Sequence, residues 1–175
     1  VPADFLPEKP LREITVRHTV GLGDALTNSG VSDRPDDGLP YTLEENIEAY
    51  GLTHFKIKLS GNLDQDVDRL TAIRSLLEHG SPGYRLTLDG NEQFANVDDL
   101  QAWWEGIRRQ DSLKDMLGPD HLLFLEQPIH RDHALRTSLK HWDGPPVIID
   151  ESDAQKTSAQ QALGLGYSGT SHKNC

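Results

Sequence analysis

Hydrophobic positions recur along this chain with two periods, and the two alternate. In "HFKIKLSG", residues 54–61, Phe55, Ile57 and Leu59 alternate with Lys56 and Lys58, the period of two expected of a strand. In residues 64–80, Val67, Leu70, Ile73, Leu76 and Leu77 fall at helical spacing, with Gly80 as a stop. The switch repeats throughout. A β-like run over 12–23 leads into a long polar loop, 24–41, rich in Gly, Pro and Asp. Residues 42–51 read as a helix opened by Thr42 as N-cap, with Glu45 at capping-box spacing, and closed by Gly51. Next come a strand in "YRLTLDGN" (84–91) and a helix over 96–110 carrying Leu100, Trp103, Trp104 and Ile107 on one stripe. "HLLFLEQP" (121–128) is a strand, 133–142 a short helix and "PPVIIDES" (145–152) a strand. A helix over 154–166 and a last strand in 167–174 complete the pattern.

One strand followed by five helix–strand units predicts an α/β protein with right-handed crossovers and a parallel sheet. An open doubly wound sheet and a (β/α)8 TIM-type barrel both satisfy that order. The polar residues add a constraint. Successive strands end in Lys56 and Lys58, in Asp89 with Asn91, in Glu126 with Gln127, and in Asp150 with Glu151; Lys173 lies in the last strand. Parallel strands bring their C-terminal ends to one rim, where barrel enzymes keep their sites. A single acid after a strand usually caps a turn or helix. Three on consecutive strands repel one another unless a cation joins them. An all-oxygen set of Asp89, Glu126 and Asp150 suits a hard divalent cation, Mg2+ above all. Zinc is disfavoured, because no Cys/His set has ligand spacing; His130 and His133 follow a strand and are expected at the surface.

Charge and composition narrow the partners. The chain has 175 residues, 35% hydrophobic and 26% charged, with a net charge of −11. That balance argues against a nucleic-acid surface and against an anionic membrane surface. No apolar run nears the ~20 residues of a membrane helix. The first residues do not read as a signal peptide, and one cysteine, Cys175, fits a reducing compartment, so a cytoplasmic location is expected.

The series "KIK", "LDGNE", "LEQP", "IDES" and the late lysine of "SHKN" resembles the enolase superfamily, in its mandelate racemase/muconate lactonizing enzyme-like branch. The resemblance spans roughly residues 12–174. It implies that residues 1–175 are a partial barrel domain of about six β/α units. The family's N-terminal capping domain and its last two strands have no counterpart in the sequence. It further implies that Asp89, Glu126 and Asp150 bind Mg2+, with Asn91 and Glu151 beside them. Lys58 is the implied proton-transferring base, Lys56 the neighbour that tunes it, and Lys173 the lysine on the opposite face of the substrate. The implied chemistry is removal of the proton α to a substrate carboxylate through a metal-stabilised enediolate, ending in racemisation or epimerisation, cycloisomerisation or dehydration. The partner is then a small carboxylate, with a homo-oligomer plausible for the intact protein. Two other readings compete. One is an α/β enzyme using strand-end acids for phosphoryl or aldol chemistry, disfavoured because "GLGDALTNSG" lacks phosphate-loop spacing. The other is a truncated or inactive barrel that serves as a binding or assembly module.

Overall fold

A computed structural model describes residues 7–29 and 31–171. Six parallel strands form one sheet in the order of the sequence: β1 (Arg17–Val20), β2 (His54–Lys58), β3 (Arg85–Asp89), β4 (Leu122–Glu126), β5 (Val147–Ile149) and β6 (Gly169–Thr170). Between them lie α1 (Leu43–Tyr50), α2 (Leu63–Gly80), α3 (Val97–Arg108), α4 (Arg131–Ala134) and α5 (Ser158–Leu165). A doubly wound sheet reverses its strand order at a switch point. A strictly sequential order does not, and crossovers of one hand then place every helix on the same face. The sheet is therefore built as a stretch of barrel wall, which decides between the two architectures the alternation allowed.

The period of two explains the layering. Phe55, Ile57, Leu86, Leu88, Leu125, Val147 and Ile149 are buried in one core with Leu70, Ile73 and Leu77 of α2 and Leu100, Trp103 and Ile107 of α3. Intervening positions on the same strands, including both lysines of β2, turn to the opposite face. Local signals act as read. Thr42 caps α1, Glu45 completes the capping box, and Gly51 ends the helix at φ 58. Asn62 caps α2 and Asn96 caps α3.

Three elements are shorter than expected. The run over 12–23 yields only β1, since pairing with β2 extends from Arg17 to Val20. Leu11, Ile14 and Val16 ahead of it are exposed. The helix expected over 133–142 reduces to the single turn of α4. Beyond it Thr137 Oγ1 bonds back to His133 O at 2.9 Å, and Leu139 N donates to Leu165 O at 2.7 Å, so side-chain and tertiary bonds replace helical ones. The last strand shows two residues among those described. No helix among the described residues is long and apolar enough to cross a membrane.

Loop 24–41 is tied to α1 by the Leu43 and Glu44 amides, which donate to Ala25 O and Leu26 O at 3.0 Å, and by the Glu45 carboxylate. Glu45 accepts from Tyr41 N at 2.8 Å, Asn28 Nδ2 at 3.0 Å and Arg34 Nη1 at 2.6 Å. These bonds, the Tyr41 amide foremost, lower its pKa from 4.5 to about 2. A carboxyl depressed on folding stabilises the fold fully above its unfolded value and loses that contribution as pH falls through the folded one. Acidification from about pH 4.5 to about pH 2 is thus expected to release Asn28 and Arg34 from α1. Amide chemical shifts followed by NMR check this, and Glu45→Gln should flatten that titration. An unchanged titration in the variant rules the anchor out.

Candidate functional site

The rim is assembled by register. Lys58 pairs with Asp89 and Asp89 with Glu126, so three consecutive strands present one polar row at their C-terminal ends. Both carboxylates are wholly buried. Lys58 Nζ donates to Asp89 Oδ2 at 2.6 Å and to Asn91 Oδ1. Lys56, two residues earlier on the same face, lies between the acids, with Nζ 2.7 Å from Asp89 Oδ2 and 2.8 Å from Glu126 Oε1. Repulsion between the lysines is therefore offset by carboxylates closer to each ammonium than the lysines' own spacing along the strand. Burial alone would depress the Lys56 ammonium, but Asp89 and Glu126 outweigh it and raise its pKa above the ordinary lysine value. Burial likewise pushes Asp89 up, yet bonds from Lys56, Lys58 and the Asn91 amide bring it below the usual carboxylate range.

Arg17 was not singled out from the sequence. From β1 its Nη2 stands 3.3 Å from Glu126 Oε2, its Nη1 donates to Thr87 Oγ1 at 3.1 Å, and its guanidinium lies 5.4 Å from the Phe124 ring centre. Glu126 is thus held by a cation on each oxygen. The signal was present in principle, as Arg17 is two residues from Thr19, which pairs with Lys56 and so shares its face.

The segments after β3 and β4 run on side by side. Gly90 N donates to Glu126 O at 2.9 Å, Glu92 N to Gln127 O at 2.8 Å and Phe94 N to Pro128 O at 3.0 Å. This close approach demands glycine at position 90, where a Cβ would meet Pro128 Cα at 2.6 Å. Asn91, Glu92 and Gln127 adopt φ of 37°, 68° and 35°, left-handed values that cost a non-glycine residue roughly 1 kcal/mol or more. Bonds hold them there. Asn91 N donates to Asp89 Oδ1 at 3.0 Å and its Nδ2 to Glu151 Oε1 at 2.9 Å. Arg131 clamps Glu92 through Nε at 2.7 Å and Nη2 at 2.5 Å.

Asp150 and Glu151 follow β5 directly, two and three residues beyond Ile148, the register partner of Glu126. The Asp150 amide donates to Gln127 Oε1 at 2.8 Å. Glu151 Oε2 is buried with no hydrogen-bond partner among the described residues. Lys173 lies outside the described residues. Among those described, no group of three or more His, Cys, Asp or Glu is gathered closely enough to hold a metal ion in this arrangement, in which Lys56 stands between Asp89 and Glu126. His130 caps α4, and its ring lies 6.2 Å from that of His133.

The model of the enolase C-terminal domain-like family matches residues 41–169, well over half the chain. The chain belongs to the enolase C-terminal domain-like family. A mandelate racemase/muconate lactonizing enzyme from Roseiflexus sp. is 27% identical, with 70% of this chain and 33% of that one covered at a TM-score of 0.52. The O-succinylbenzoate synthase of Thermosynechococcus elongatus BP-1, solved with Mg in its active site, is 20% identical over 93% of this chain and 43% of its own, at 0.60. The dipeptide epimerase of Enterococcus faecalis V583 is 21% identical over 86% and 36%, at 0.53. The last two likenesses speak for the fold alone. The chain spans between 33% and 43% of the length of these three proteins. No curated protein sequence matches it significantly. The superfamily inferred from the strand-end motifs is thereby established.

Proposed function

We propose that this chain carries the proton-abstracting rim of an Mg2+-dependent enolase-superfamily enzyme acting on a small carboxylate. The observation that carries the reading is the row of Lys58, Asp89 and Glu126 in register, with Lys56 seated between the two acids. The donor set fits the ion. Asp89 and Glu126 offer buried, hard oxygen atoms, and Glu151 Oε2 is a buried oxygen with no hydrogen bond among the described residues. Asp89, Glu126 and Asp150 would hold Mg2+, with Asn91 and Glu151 fixing the first and last of them. When bound, Mg2+ stabilises the negative charge that develops on the substrate carboxylate as the α-proton leaves.

The chain's own residues supply the rest. Lys58 Nζ lies at the open end of the row and takes the proton. Asn91 Oδ1 and Asp89 Oδ2 orient that ammonium after it forms. Lys56 keeps charge balance beneath the site and stays protonated. Lys173 is the acid assigned to the opposite face, returning the proton in a racemase or epimerase or stabilising charge in a cycloisomerase or dehydratase. A saturable rise in thermal stability on titrating Mg2+ into the purified chain is expected. A flat titration sinks the metal assignment and favours the non-enzymatic binding module.

A further inference from the structure

We propose that Gln127 is a positioning residue that sets the acids after β5 against those of β3 and β4; the inference rests on the reading of Asp150 as a metal ligand. Gln127 is 1% exposed, and its side-chain amide makes four hydrogen bonds. Oε1 accepts from Asp150 N at 2.8 Å and Ser152 N at 3.1 Å. Nε2 donates to Ile129 O at 2.7 Å and Ser152 Oγ at 2.8 Å. Two donor hydrogens and two acceptor lone pairs are thus all used, the full capacity of a primary amide. One side chain grips the backbone on both sides of Glu151 and ties it to the strand that ends in Glu126.

The backbone of Gln127 adds a second connection. Its N–H donates to Ile148 O at 2.8 Å, and its carbonyl accepts from Glu92 N at 2.8 Å. The residue therefore touches the ends of three strands while its φ is 35°. A side chain locked by four bonds holds that conformation in place. Neither charge nor direct contact with a reacting group is needed for this role. Gln127 acts through Asp150 and Glu151, whose carboxyl positions follow from the amides it holds.

The test compares wild type, Gln127→Met and Gln127→Glu in the full chain by two readouts, Mg2+ affinity from calorimetry and amide exchange without metal. Gln127→Met keeps the volume and removes all four bonds. Its Asp150 and Ser152 amides should exchange roughly five- to tenfold faster, and Mg2+ affinity should fall about 10–100-fold. Gln127→Glu retains an oxygen for both amides and should bind Mg2+ within about threefold of wild type, a rescue that a generic packing role does not predict. Equal Mg2+ affinity in wild type and the Met variant overturns the proposal, as does unchanged exchange or a Glu variant as weak as Met. If wild type itself binds no Mg2+, the metal reading falls and the exchange comparison alone decides the role of Gln127. Should Gln127→Met fail to fold, Ser152→Ala, which deletes one of the four bonds, replaces it. Faster exchange of the Asp150 amide is then expected, and none overturns the proposal.

Discussion

Lys56→Met is expected to destabilise the metal-free chain by about 3–5 kcal/mol, because it leaves two buried carboxylates without the ammonium they share. Asp89 and Glu126 are wholly buried, Lys56 is 15% exposed, and its Nζ is within 2.8 Å of both. Arg17 on the far oxygen of Glu126 and Lys58 on Asp89 compensate in part, which places the loss nearer the lower end of that range. Urea unfolding measures it. Glu126→Gln alone should also destabilise, and the double variant should lose less than the two singles summed, with a coupling on the order of 1–3 kcal/mol. Additive losses mean that the two side chains do not act on each other. Added Mg2+ should recover part of the loss in Lys56→Met, since a cation at the same carboxylates replaces the missing charge.

That pair marks what could be read from the sequence. Strand periodicity and strand-end acids are local properties, and parallel order alone brings them to one rim. Lys56, Lys58, Asp89, Glu126, Asn91 and Glu151 are therefore linked by hydrogen bonds at one rim, though Asp150 does not close with Asp89 and Glu126 into a three-acid group, and two loops touch at Gly90 and Pro128. The Arg17–Glu126 contact joins residues 109 positions apart, and the four bonds of Gln127 depend on the exact path of two turns. The first is legible only through the β1–β2 register, and the second leaves no spacing to read. The expected helix over 133–142 failed for a related reason: its apolar positions, Leu135, Leu139 and Trp142, do pack on the core, but tertiary bonds to α5 fix them without a helix. The raised pKa of Lys56 is not legible either, because it depends on Asp89 and Glu126 being brought next to its ammonium.

Lys58→Ala should separate chemistry from stability. Lys58 is 25% exposed and shares Asp89 Oδ2 with Lys56, so its loss leaves Asp89 paired and should destabilise far less than Lys56→Met. As the proposed general base, however, it should carry roughly 10²–10⁴-fold of the rate of α-proton removal. The assay is deuterium uptake at the α-carbon of aromatic acids, acid sugars, dipeptides and N-acyl amino acids in D2O with Mg2+, read by NMR. Exchange in wild type that disappears in Lys58→Ala, while Mg2+ affinity holds within about threefold, assigns the proton transfer to Nζ of Lys58. Exchange that persists in the variant removes Lys58 from the mechanism. Two lysines, two residues apart on one strand, are then told apart by what each removal costs: the inner one mainly stability, the outer one mainly rate.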